Sequence, residues 1–234
     1  MNLHERATGH EIMDDLNCHG DVVAQTLREL DFINRWLGGN AITLQGIFKV
    51  IEQSKQKKLR IADMGCGSGE LLQLIYQRAL RQRYQVELVG IDANPHIVRY
   101  ASERVAPASP ITFQPKNVLS PSFQQEIFDI ITATLFTHHF TDDELVALLK
   151  NWAQQARLAV VINDLHRHFL AYHSIRLLTW LFSKSAMVKY DAPLSVRKGF
   201  TRKELEMILK RAGIRKYRLS WRWAFRWQLI IIHT

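Results

Sequence analysis

IADMGCGSGE, residues 61–70, decides how the rest of the chain is read. Its first half ends an apolar, strand-like run, LRIADM (59–64), and its last residue opens a helical pattern, ELLQLIYQRALRQ (70–82). Between them Gly65, Gly67 and Gly69 permit a tight turn and a close approach of backbone to a ligand. A helix starting near Gly69 presents unpaired N–H groups and the positive end of its dipole toward that ligand. The next strand-like run, VELVGID (86–92), places Asp92 at its carboxyl tip. An acid at that point accepts hydrogen bonds from both hydroxyls of a ribose.

Outward from this unit the rhythm is strand then helix. Strand-like runs recur at ITFQP (111–115), IFDIITAT (127–134) and RLAVVIND (157–164), separated by the helical patterns PHIVRYASERV (95–105) and TDDELVALLKNWAQQA (141–156). Such alternation predicts an α/β fold, a parallel sheet with helices on both faces. The ending differs: a helix over TRKELEMILKRAG (201–213) is followed by IRKYRLSW (214–221) and FRWQLIIIHT (225–234), close enough to form a hairpin. Two further helices, DVVAQTLRELDFINRWLGG (21–39) and AITLQGIFKVIEQ (41–53), precede the sheet as additions to it. With no repeat or low-complexity linker, residues 1–234 read as one domain. Its parts are N-terminal helices to 53, a cofactor-binding core over 58–164, a lid over 165–200, and a C-terminal helix and hairpin over 201–234.

Composition excludes several classes. Two cysteines, Cys18 and Cys66, leave no disulfide framework and no multi-cysteine zinc site. The opening residues MNLHERATGHEIMDD lack the apolar stretch of a secretory leader, so a cytoplasmic protein is expected. Lysine and arginine outnumber the acids 31 to 22, with excess in SKQKKLR (54–60) and through the C-terminal third. A solvated basic surface accounts for most of this excess.

The glycine spacing chooses the ligand. A dinucleotide loop reads G-x-G-x-x-G, whereas here it is G-x-G-x-G and Glu70 stands where the third dinucleotide glycine would be. An acid beside a pyrophosphate is electrostatically unfavourable, and Asp63 at the end of the first strand suits an ammonium. A ligand with ribose, adenine and a zwitterionic amino acid satisfies both acids, which describes S-adenosylmethionine (SAM). DMGCGSGE (63–70), VGIDANP (89–95), the NVL of PKNVLS (115–120) and FDIITATLFTHHF (128–140) resemble the successive motifs of class I SAM-dependent methyltransferases. The resemblance implies a three-layer, Rossmann-like sheet of seven strands, the last antiparallel. It also implies that Asp63, Gly65, Cys66, Gly67 and Gly69 hold the methionine moiety and Asp92 the ribose. Ala93 would lie beside the adenine, Asn117 at its edge next to Val118, and Thr134 and Leu135 beneath the methyl. Arg35 is a further candidate, for the cofactor carboxylate. INRWLGG (33–39), NDLHRHFLAYHSIRLLTWLFSKS (163–185) and DAPLSVRKGFT (191–201) are similar to bacterial small-molecule enzymes of quinone and polyketide-phenol pathways, which implies a small apolar or aromatic acceptor.

The helical stretch within 165–200 is apolar on almost every side yet too short for the ~20 residues of a membrane span. A substrate lid, apolar toward both ligand and protein, explains it. Histidines flank the expected methyl position: His138 and His139 after the fourth strand, His166 and His168 after the fifth. Histidine is the natural base at neutral pH, so His139, His138 and His166 are the catalytic candidates, and methylation of oxygen is expected over carbon. No metal is expected, because no HExxH-type ligand pair is present. Asp191, Ser195 and Arg197 suit a tie between lid and domain through an Arg–carboxylate pair.

Rival readings are an RNA methyltransferase stacking bases on Trp221, Trp223 and Trp227, an NAD oxidoreductase, and a SAM-binding protein without catalysis. ATLFTHHF (133–140) lacks the motif of enzymes that methylate exocyclic amines, and Cys66 lies in the cofactor loop, away from any acceptor base. Nucleic acid is therefore not an expected partner. Basic charge, an apolar lid and a Trp/Arg-rich C-terminus suit an anionic bilayer, so peripheral membrane contact is an expected variant.

Overall fold

The computed structural model describes residues 3–121 and 123–232. The last two residues of the run FRWQLIIIHT, His233 and Thr234, lie outside them. Seven strands form one sheet: β1 (Lys58–Met64), β2 (Gln85–Asp92), β3 (Ile111–Pro115), β4 (Phe128–Thr134), β5 (Ala156–Leu165), β6 (Tyr217–Arg222) and β7 (Arg226–Ile232). Their order is β3-β2-β1-β4-β5-β7-β6. β1 to β5 are parallel, and β7 runs antiparallel to both neighbours, as the closing hairpin implied.

Side chains of β1 alternate between two cores, as the two-residue period of a strand requires. Ala62 and Met64 join a cluster with α5 (Asp142–Gln155) and α8 (Arg202–Arg211); Leu59 and Ile61 join one with α2 (Gly39–Ser54) and α3 (Glu70–Arg81). The helix α2 is thus part of a packed layer rather than an addition to the sheet. A side chain at Gly46 would come within 2.9 Å of Val161 and Gln228, so only glycine lets α2 settle on β5 and β7. The preceding helix, α1 (Asp21–Trp36), ends at the left-handed Gly38.

The helix α5 shows how sequence builds the second layer. Thr141 accepts from the Glu144 N–H while the Glu144 carboxylate accepts from the Thr141 N–H, a reciprocal cap at the helix start. Leu145, Leu148, Leu149 and Trp152, spaced to share one helix face, are all buried. Trp152 is fully enclosed. Trp152→Ala is expected to destabilise the protein by about 3–5 kcal/mol, read as a lower denaturant midpoint.

The chain from 165 to 200 forms two helices, α6 (Phe169–Phe182) and α7 (Ala186–Lys198), where one was expected. Ser185 caps α7 by accepting from the Val188 N–H. The Glu29 carboxylate of α1 accepts from the Lys184 N–H and the Ser183 hydroxyl, pinning the turn between them. Asp191 ties to no arginine: its carboxylate accepts from the backbone N–H groups of Ile12 and Met13. Ser195 donates to Glu11 at 2.9 Å, and the Arg197 carbonyl accepts from Ala7 N–H. Arg6 adds bonds to Asp142 and to the carbonyls of His138 and Phe140. The N-terminal segment is therefore strapped to α7 and to the loop after β4.

Candidate active site

The strand order reverses between β1 and β4, and the crevice outside their carboxyl ends is where ligands of open α/β sheets bind. A cavity of about 770 Å³ opens there, within the usual range for small-molecule sites. Asp63, Gly65, Cys66, Gly67, Asp92, Ala93, Asn117, Val118, Thr134, Leu135, His138 and His139 all line it. Gly65 and Cys66 donate to the Ile91 carbonyl at 2.8 and 3.0 Å, which sews the glycine turn to β2. Gly65 has φ +68°, and a Cβ on it would lie 2.2 Å from the Phe136 ring, so both conformation and space demand glycine. Leu135 also holds a positive φ, 54°, rare for a leucine. Its N–H donates to the Asn163 carbonyl at 2.8 Å, holding the loop after β4 beside the cavity.

Two acids face the same space without a cation between them. Asp63 is 2 % exposed and its Oδ1 has no hydrogen-bond partner. Burial, and then the charge of Asp92, push its carboxyl well above the ordinary range. Asp92 accepts from Asn94 N–H at 3.0 Å and Gly67 N–H at 3.3 Å, yet burial still raises it. A ligand with one ammonium and a pair of hydroxyls answers this deficit, and SAM has both. Thr134 shares a 2.8 Å hydroxyl contact with Thr43 of α2, and Asn117 Oδ1 accepts from Leu119 N–H at 2.9 Å, turning the loop at the cavity edge.

Three expected site residues stand outside the lining. Gly69 caps α3 at φ +75°, and its missing Cβ makes room for the Phe113 ring, so its role is in the turn. Arg35 is paired to Glu70 at the cavity, with its own side chain 73 % exposed. His166 accepts from the indole N–H of Trp221 at 3.2 Å and packs edge-on to Trp227, outside the cavity. His168 caps α6 by accepting from Leu170 N–H. Of the tryptophans, Trp227 is buried, Trp221 half-exposed and Trp223 on the cavity rim.

The remaining two histidines have distinct settings. Asp164 is 2 % exposed, and burial pushes its carboxyl up. The His138 ring and the Thr137 hydroxyl outweigh that and hold it well below the ordinary range. An ionised carboxylate only accepts, so His138 Nδ1 is the donor in their 2.7 Å bond. The opposite nitrogen, Nε2, has no hydrogen-bond partner and stands 3.6 Å from Glu11 Oε1. His139 Nδ1 donates to Asp14 at 2.6 Å. Burial would lower its pKa, but Asp14 and Glu11 together lift it above the ordinary value.

Among the described residues, Glu11, His138 and His139 bring metal-type ligand atoms within 4.8 Å of one another. Lys198 Nζ already stands 3.2 Å from Glu11, supplying positive charge there. Glu11 and Asp14 were invisible in the sequence as site residues. They reach His138 and His139 only because the N-terminal strap folds across the sheet edge, more than a hundred residues away along the chain.

The α6–α7 segment is two-faced rather than enclosed. Ala171, Ser174, Ile175 and Leu178 of α6 line the cavity, with Val188, Ala192 and Val196 of α7. The other side of α6 carries Phe169, Leu177, Trp180 and Leu181, all more than half exposed. The all-round apolar character expected to face ligand and protein instead divides between cavity and solvent.

A seven-stranded sheet with its last strand antiparallel is the fold implied by the resemblance to class I SAM-dependent methyltransferases. Residues 61–157 of the chain match the methyltransferase domain family. A comparison by sequence alone finds no match among curated proteins. Its fold is similar to that of the plantazolicin methyltransferase BpumL with bound SAH, at TM-score 0.66 and 17 % identity over 91 % of this chain and 95 % of that one. Human N-acetylserotonin methyltransferase with SAM aligns at TM-score 0.62 and 16 % identity, over 90 % of this chain and 55 % of that one. Magnesium protoporphyrin IX methyltransferase from Synechocystis PCC 6803 aligns at 0.53 and 14 % identity, over 99 % and 91 %.

Proposed function

We propose that the acceptor is a small, apolar molecule of phenolic, quinol or polyketide type, methylated on oxygen with His138 as base. The observation that carries this reading is the Asp164–His138 pair, whose ring has one nitrogen fixed as donor and the other turned toward Glu11 at the cavity. Bound SAM supplies a methyl group on a positively charged sulfur. Asp63, Asp92 and the glycine turn are the residues to hold it, with Ala93, Asn117 and Val118 around the base. Asp164 keeps the lone pair of His138 on Nε2, where it takes the acceptor's hydroxyl proton. A phenol with pKa near ~10 is mostly protonated at neutral pH, so removal of that proton raises its nucleophilicity. Leu135, Phe136, Leu178 and Val188 exclude water and fit an apolar ring. In-line positioning of oxygen and methyl provides the larger share of the acceleration.

Residues 1–234 act in this reading as one methyltransferase domain, with 165–200 as substrate lid. A cytoplasmic location with peripheral membrane contact belongs to it too, supported by the exposed apolar side of α6 and the absence of any Asp or Glu from 168 to 190. None of the described helices is long and apolar enough to cross a membrane. The test is incubation with methyl-labelled SAM and a bacterial lysate, followed by separation into small-molecule, RNA and protein fractions. Label among small molecules is expected; label confined to RNA or protein would overturn the reading.

A further inference from the structure

The C-terminal third reads in sequence as a basic surface, yet one of its arginines is inside. Arg226, the first residue of β7, is 2 % exposed and lines the cavity. Its Nη2 donates to Asn34 Oδ1 at 3.2 Å, while Nε and Nη1 have no hydrogen-bond partner. Burying guanidinium donors without acceptors is costly, about 1–3 kcal/mol for each unsatisfied group and more when charged. Asp164, the acid whose charge acts on it, already accepts from the Thr137 hydroxyl, from the backbone N–H and Nδ1 of His138 and from Leu165 N–H. Burial lowers the arginine's pKa to about 10, so it remains a cation at neutral pH.

Position separates this cation from the cofactor acids. Arg226 pairs in register with Leu165, the residue after Asp164, which places it beside the strand that orients the base. β7 is the third strand along from β1, where Asp63 stands, and three strand spacings amount to roughly 14 Å. Leu37, Trp223 and Phe225, which also line the cavity, are apolar, and Asn34 and Asn40 are neutral. A planar guanidinium with two parallel donors matches a carboxylate in fork geometry. A doubly charged phosphate would meet the acids Glu11, Asp14 and Asp31 of the same cavity, where Lys116 is already paired with Glu126.

We infer that Arg226 binds a carboxylate of the methyl acceptor, so that the acceptor is an apolar hydroxylated acid rather than a neutral phenol or quinol. The inference rests on the small-molecule reading above and narrows its substrate class.

The test uses the labelled small-molecule fraction and two pieces of information. First, the fraction is extracted into organic solvent at pH 7 and again after acidification to pH 3. A carboxylic acid with an ordinary pKa near ~4 stays in water at the first and leaves it at the second, whereas a neutral methylated product leaves at both. Acid-dependent extraction is expected, and extraction at pH 7 overturns the inference while leaving the small-molecule reading intact. No labelled small molecule at all would instead defeat that reading. Second, Arg226→Met and Arg226→Lys are compared with wild type for SAH binding by calorimetry and for labelled product. Arg226→Met is expected to lower product at least about tenfold with SAH affinity unchanged, and Arg226→Lys to restore part of it. Loss of SAH affinity would assign Arg226 to the donor's carboxylate and overturn the inference, as would full product formation by Arg226→Met.

Discussion

Asp92→Ala is expected to weaken SAM binding roughly hundredfold, because two hydrogen bonds to a charged acceptor, at about 1.5–3 kcal/mol each, are lost together. The fold should survive, since Asp92 sits at a strand tip and the bonds it gives up are to the loop N–H groups of Gly67 and Asn94. Calorimetric titration measures the loss, and unchanged affinity would remove Asp92 from the site. The pH dependence follows from the same acids. Asp63 and Asp92 titrate above the ordinary carboxylate value of 3.8, and Asp31, lining the same cavity, is pushed up to about 6, chiefly by burial. A group whose folded pKa is raised favours folding below its unfolded pKa and loses that contribution as pH rises through the folded one. At neutral pH the ligand-free protein therefore carries buried negative charge at a cost, which a cationic ligand offsets. SAM affinity, and the rise in melting temperature that SAM produces, are expected to decline as pH is lowered through about 6. Asp31→Asn should flatten that decline.

His138→Ala is expected to reduce kcat by about 10²- to 10⁴-fold, the usual contribution of a positioned base. SAM affinity should be unchanged, because His138 bonds to Asp164 and faces Glu11 rather than the acids of the cofactor turn. Asp164→Asn should also lower kcat: its amide can donate to Nδ1 and move the ring proton to Nε2, where the lone pair is required. His139→Ala should cost less, since that ring holds its proton against Asp14 and is a poor base. A larger loss for His139→Ala than for His138→Ala would transfer the role. Equal kcat in all three variants would leave proton removal to solvent and the enzyme with positioning alone.

How far the sequence reaches depends on how local the cause is. Gly65 is recognisable from spacing because its reason is carried within ten residues: a turn between a strand and a helix. Arg35 misled for the complementary reason. An arginine suited to a cofactor carboxylate in one dimension is paired in three with Glu70, and its own side chain is not part of the cavity lining. Arg226 was hidden by its company, one cation in a run whose other members sit on the surface. The apolar residues of α6 gave no sign of which side they would show, because a helix with little polar face carries no internal instruction about its orientation.

By itself the sequence determined the α/β class, the glycine turn with its two acids, the antiparallel close of the sheet and the insertion after the fifth strand. Each is written in short-range periodicity or in residues adjacent along the chain. Only the tertiary structure decided that His138 pairs with Asp164, that Glu11 reaches it from the N-terminal strap, and that Arg226 rather than Arg35 faces the cavity. Those contacts join residues from distant parts of the chain, and their chemistry comes from burial and from competition among neighbours, neither of which a linear pattern contains.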